Sequence, residues 1–133
     1  MKRVLLAMAL LLLTSAAWAE DEALPLAGLY SDMYFNHTRG SLLGVEIFVI
    51  PSRDGYHVLF QGAGGRAEVP VLVPAAVENN RIEFTLPERD GYGGKFTGVF
   101  EQEELVGSFQ PAQINHVTDT WEFRLRRKMS YWQ

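Results

Sequence analysis

Between Leu26 and Lys128 the chain divides into eight short apolar runs, each closed by a turn signal. No stretch between them carries a helical period. Eight successive strands with short connections is the number that closes an up-and-down barrel around a small interior. The expected fold class is therefore all-β: an eight-stranded antiparallel meander barrel.

The first run is Leu26 to Phe35, turned by Asn36-His37-Thr38-Arg39-Gly40. Leu42 to Pro51 follows, and its continuous apolar stretch predicts burial on both faces over part of its length. Ser52-Arg53-Asp54-Gly55 reads as a tight hairpin, because Asp-Gly supplies the positive φ such turns need. Tyr56 to Gln61 is the third strand, ended by Gly62-Ala63-Gly64-Gly65. Ala67 to Val77 is the fourth. Pro70 and Pro74 each remove a backbone donor from it, so it is expected to be broken, bulged or partly unpaired.

Glu78-Asn79-Asn80 leads into Arg81 to Leu86, where Ile82, Phe84 and Leu86 alternate with Arg81, Glu83 and Thr85. Lys95 to Glu101 and Glu104 to Phe109 form a hairpin around Gln102-Glu103. The longer connection Gln110 to Val117 has room for a turn of helix. Thr118 to Lys128 closes the series, with Trp121, Phe123 and Leu125 alternating against Glu122, Arg124 and Arg126. One short repeat, Pro-x-Arg-Asp-Gly-Tyr at Pro51 to Tyr56 and again at Pro87 to Tyr92, falls on turns at opposite ends of a meander. It reads as repeated turn chemistry.

Ahead of the runs stand Lys2 and Arg3, an apolar stretch from Val4 to Leu13, and small residues Ala17 and Ala19 at A-x-A spacing. This is the pattern of a secretory signal peptide, too short to span a bilayer as a helix. Cleavage near Ala19 leaves a single domain, residues 20–133, expected in a bacterial periplasm or outside the cell. No second apolar segment is long enough for a membrane span. The mature chain keeps ten basic and sixteen acidic residues, a net of −6, which disfavours nucleic acid as a partner. With no Cys, it must hold together by its aromatic and aliphatic core alone.

Closure is also suggested by charge. In a closed meander the first and last strands pair antiparallel, bringing Glu20-Asp21-Glu22 beside Arg124, Arg126, Arg127 and Lys128.

The search for chemistry returns little. His37, His57 and His116 lack zinc-site spacing, and no thiol is available as a ligand. Ser31, Asp32 and His37 supply the elements of a triad, but nothing marks Ser31 as a strained nucleophile. The glycines at 62–65 are not followed by Lys-Ser or Lys-Thr, as a phosphate loop requires. The expectation is a non-enzymatic protein without a cofactor or metal. Glu46, amid apolar neighbours, is a paired carboxylate or a polar ligand contact if it points inward. If it points outward, it is an ordinary solvent-facing residue. Tyr30 and Trp121 are expected to be neighbours on the first and last strands.

At Gly28-Leu29-Tyr30 the chain resembles the opening of lipocalin and avidin-type (calycin) barrels, whose first strand commonly begins Gly-x-Trp; Tyr30 stands for the Trp. In lipocalins a basic residue late in the last strand packs over that aromatic, and the resemblance assigns this part to Arg124 or Arg126. The lipocalin Thr-Asp-Tyr motif and the biotin-binding positions of avidin are absent. The resemblance implies a cup-shaped barrel able to hold a small apolar molecule.

Two functions follow as expectations. One is an exported barrel binding a small apolar ligand, with Tyr30, Glu46, Phe60, Phe84, Phe96 and Trp121 lining or flooring the cavity. The other is a solid barrel acting through its rim, as an envelope protein-interaction module or an inhibitor of an exported hydrolase. Its contact surface would be the loops Asn36 to Ser41 and Gln110 to Val117, with the aromatic tail Tyr131-Trp132 packed over a barrel end.

Overall fold

The computed structural model describes residues 26–89, 93–112 and 119–128. They form one antiparallel sheet that closes on itself: β1 (Gly28–Ser31), β2 (Tyr34–Asn36), β3 (Ser41–Ser52), β4 (Gly55–Gly65), β5 (Val71–Glu78), β6 (Arg81–Leu86), β7 (Gly94–Glu101), β8 (Glu104–Pro111) and β9 (Trp121–Lys128). Each strand pairs with its neighbour in sequence, and β1 closes the ring by pairing with β9, Leu29 opposite Lys128 and Ser31 opposite Arg126. This is the closed eight-stranded meander.

Nine elements make eight strands because the first run is interrupted without slipping. β1 and β2 both pair with β3 in one continuous register, from Gly28 opposite Val49 to Asn36 opposite Ser41. Asp32 and Met33 drop out of the ladder between them. The Asp32 carboxylate accepts the Val45 N–H at 2.7 Å, while the Asp32 N–H donates to the Val45 carbonyl at 3.2 Å. Gly44 is required opposite this break: its φ is +114°, and a Cβ there would lie 2.7 Å from the Met33 Cα.

Two run boundaries differ from expectation. Gly62–Gly65 does not end β4 but continues it, opposite Leu42–Val45, because β3 is long enough to supply partners that far. The fourth run starts late. Ala67–Pro70 lies outside β5, touching the sheet only through a bridge between Ala63 and Ala67. β5 pairs with β4 over Val71–Ala75 and with β6 only over Ala76–Glu78. Pro74 stands in the half bonded to one side, so the two prolines do mark a loosely laced part of the wall.

The meander sorts its connections by end. Two-residue turns at 53–54, 79–80 and 102–103 sit at one end, together with the start of β1 and the end of β9. The connections 37–40 and 66–70, together with residues 87–89 and 93 between β6 and β7 and residues 112 and 119–120 between β8 and β9, sit at the other. The first copy of the Pro-x-Arg-Asp-Gly-Tyr repeat lies at the former end and Pro87-Glu88-Arg89 of the second at the latter; residues 90–92 lie outside the described residues.

Inward-facing positions form a single apolar core: Tyr30, Ile47, Val49, Val58, Phe60, Val73, and the alternating residues of β6 to β9. Ile47, Val49, Val58, Leu105 and Leu125 are fully buried. Burying side chains of this size is worth roughly 1.5–3 kcal/mol each, which is how a chain without disulfides holds a small barrel closed.

Candidate functional site

The last strand decides how the barrel is sealed. Trp121, Phe123, Leu125 and Arg127 share one phase, and Leu125 is fully buried. Arg127 therefore turns inward, opposite Tyr30 in the β1–β9 ladder. Its Nη2 donates to the Ala27 carbonyl at 2.7 Å, and its guanidinium lies over Gly28, where a Cβ would come within 3.1 Å of Nε. The basic residue beside the first-strand aromatic is Arg127, not Arg124 or Arg126. Those two belong to the outer phase and pair with Glu104 on β8. Glu20, Asp21 and Glu22, expected at this seam, lie outside the described residues.

Tyr30 is buried at this end, its hydroxyl donating to the Leu26 carbonyl at 3.1 Å and its ring 5.3 Å from Phe100. Burial pushes its phenol above the usual value, the Arg127 charge acts in the opposite direction, and Glu103 adds a smaller upward push. Tyr30 and Trp121 are not neighbours. Trp121 begins β9, six residues or about 20 Å of strand from Arg127, and its ring lies 5.8 Å from Phe109.

Three inward-phase rings from β6, β7 and β9 stack. Phe84 and Phe96 are 4.4 Å apart and 13° from parallel; Phe96 and Phe123 are 4.4 Å apart and 24° from parallel. The spacing is that of offset-stacked rings in contact. Phe84 and Phe96 thus form a sealed floor, and Phe60 is buried in the same core.

Towards the long connections Leu86 on β6 and Phe109 on β8 stay buried, but inward-phase side chains on β2, β3 and β9 do not. Tyr34 is 56 % exposed and Trp121 46 %, while Leu43, Val45 and Phe123 are half-buried. The wall is also unlaced here. The β1–β9 ladder stops at Ser31 opposite Arg126, and among the described residues β2 pairs with β3 alone. Tyr34 on β2 and Phe123 on β9 thus stand on strands that do not pair with each other among the described residues. Phe123 also borders a depression of about 510 Å³ on the outer wall, lined otherwise by Gly107 and the outward-phase Val106, Ser108, Glu122 and Arg124. The arrangement has the form of a shallow aromatic cup: a ring-stacked floor and a rim on which Tyr34 and Trp121 are exposed.

Of the six residues expected to line a cavity, Tyr30, Phe60, Phe84 and Phe96 lie in the core, and Trp121 stands on the rim. Glu46 is apart from them. It is in phase with exposed Phe48, and its carboxylate accepts the Ser31 hydroxyl at 2.9 Å. Ser31 in turn accepts the Met33 N–H at 3.0 Å. Asp32 is engaged with Val45, and the His37 ring sits 5.0 Å from Phe35. The three residues of the paper triad thus have separate structural partners. Among the described residues no three His, Asp or Glu gather to hold a metal.

Sequence reasoning missed Tyr34, Phe123 and Arg127. The alternation of β9 already puts Phe123 and Arg127 in phase with Leu125, so that signal was available. Tyr34 had none, because its role depends on where β2 leaves β9. Comparison with protein-family models, curated proteins and solved structures finds no match for this chain.

Proposed function

We propose that this chain is an exported, non-enzymatic barrel that binds a small apolar ligand, or one apolar group of a larger molecule, in the cup at its loop end. One observation carries the reading: among the described residues, the large inward-phase aromatics that are exposed, Tyr34 and Trp121, both stand at that end, over a floor filled by Phe84, Phe96 and Phe123. Ligand sites are typically apolar concavities whose walls are largely preformed. The filled floor favours a shallow seat over full enclosure. Export rests on the signal-peptide pattern before Ala19.

The test is a titration of the mature protein with N-phenyl-1-naphthylamine, followed by the fluorescence of the probe itself, which rises when it enters an apolar site. Saturable enhancement is expected, weakened at least tenfold in Tyr34→Ala and Trp121→Ala. Binding unchanged by both substitutions would sink the proposal.

A second reading is a protein-binding rim, as an envelope interaction module or hydrolase inhibitor. Its support is Phe35, 51 % exposed beside the 37–40 turn at the same end. The tail Tyr131-Trp132 lies outside the described residues. The strand leading to it ends at Lys128, at the two-residue-turn end and away from the 37–40 turn. A pull-down from envelope extract that depends on Phe35 and not on Trp121 would favour this reading.

A further inference from the structure

The wall of the cup carries a carboxylate. Asp32 lies between Tyr30 of the core and Tyr34 of the rim, and the continuous register of β1 and β2 sets it opposite Val45. Both of its bonds across the sheet go to that residue: the Asp32 N–H donates to the Val45 carbonyl, and Oδ1 accepts the Val45 N–H. The Val45 side chain packs against the core. Residues directly opposite in an antiparallel pair share a face, so Asp32 belongs to the inner wall, about 7 Å of strand from Tyr34. It is exposed, and its second oxygen accepts no hydrogen bond or ion pair among the described residues.

No neighbouring charge on the inner wall offsets it. The other inward-phase positions described at the loop end, among them Leu43, Val45, Leu86, Phe109 and Phe123, are uncharged. Arg127, an inward-phase cation, stands at the opposite end and is bonded to the Ala27 carbonyl. On the described connections at the loop end Arg39, Arg66 and Arg89 are matched in number by Glu68, Glu88 and Asp119. The balance of charge at the cup is therefore left to Asp32.

Resting on the cup reading above, we infer that the ligand is a cation: a small apolar ring or chain bearing an ammonium group. Two independent features favour that charge. The free oxygen of Asp32 attracts an ammonium directly, and exposed Tyr34 and Trp121 offer rings whose quadrupole attracts the same group. A carboxylate ligand would meet Asp32 as a like charge and gain nothing from the ring faces. An exposed ion pair and an exposed cation–π contact are each weak, so the preference over an anion of the same shape should be about tenfold.

Displacement of N-phenyl-1-naphthylamine from the mature protein at neutral pH tests this with three competitors of one shape: protonated 1-naphthylmethylamine, neutral 1-naphthylmethanol and anionic 1-naphthoate. The amine should bind tightest and the anion weakest, about tenfold apart. Asp32→Asn keeps an oxygen to accept the Val45 N–H, and it should cut that ratio to about threefold or less. Glu88→Gln, on an exposed connection at the same end, should leave the ratio within about twofold of wild type. If Asp32→Asn does not fold, raising the salt on the wild type from about 20 mM to about 500 mM carries the test, since screening should lower the ratio in the same way. An alcohol that displaces the probe beside an amine no tighter than the anion overturns the inference and leaves the cup standing. A folded Asp32→Asn with an undiminished ratio also overturns it. An alcohol that does not displace the probe overturns the cup, and the inference with it.

Discussion

Phe96 is the residue on which the sealed floor depends, and replacing it separates stacking from simple burial. It is 1 % exposed and lies between Phe84 and Phe123, 4.4 Å from each. Phe96→Leu keeps most of the volume, and a volume-conserving apolar swap in a core usually costs less than about 1.5 kcal/mol. Two aromatic pairs are lost with the ring, each worth about 0.5–1.5 kcal/mol beyond its area. The expected destabilisation is therefore about 2–4 kcal/mol. Phe96→Ala removes the volume too and should cost about 3–5 kcal/mol. Urea unfolding measures both, with a lowered midpoint and an unchanged slope. Phe96→Ala should also leave a dry apolar cavity below the cup, so benzene should raise its melting temperature and leave the wild type unaffected. A Phe96→Leu cost under 1 kcal/mol, with no benzene effect in Phe96→Ala, would refute a floor made by ring stacking.

Arg127→Met keeps the side-chain stem but loses the charged hydrogen bond to Ala27, at a cost of about 1.5–3 kcal/mol. Hydrogen exchange should quicken first at Gly28–Ser31, where the seam closes. Because burial raises the Tyr30 phenol pKa, its stabilising contribution is complete below the unfolded value near 10 and is lost as pH rises through the higher folded value. Tyr30→Phe should thus flatten the alkaline fall in stability seen by urea unfolding, while costing about 0.5–1.5 kcal/mol at neutral pH for the lost bond to Leu26. Gly107→Ala places a Cβ 2.2 Å from the Thr97 carbonyl oxygen and 2.7 Å from the Gly98 Cα, both backbone. It should destabilise by at least about 1–3 kcal/mol in a thermal melt. Gln102 adopts a φ of 56° in the β7–β8 turn, so Gln102→Gly should raise the melting temperature by relieving a left-handed conformation that costs about 1–2 kcal/mol.

The barrel was legible because its signals are local. Alternation in Arg81–Leu86 and Trp121–Leu125, and the turn chemistry of Asp54-Gly55, need no knowledge of distant partners. What failed depends on register across the sheet. Gly62–Gly65 looks like a terminator until β3 is known to extend opposite it. The interruption at Asp32–Met33 comes from a carboxylate reaching an N–H thirteen residues away, which no periodicity records. Glu46 was singled out for its apolar neighbours along the chain, yet its setting is decided by Ser31 across the ladder. The cup was half visible. Its floor residues read as core from spacing, whereas Tyr34 joins them only because β1 and β2 keep one register while the β9 ladder stops.

The most direct test of the cup is a heteronuclear NMR titration of the mature protein with N-phenyl-1-naphthylamine. The shifts should concentrate at Tyr34, Leu43, Val45, Trp121 and Phe123, with Tyr30 and Phe100 below the floor unmoved. Shifts centred instead on the outward-facing Phe48, Leu59 and Leu72, or no saturable shifts at all, would contradict a binding site at the loop end.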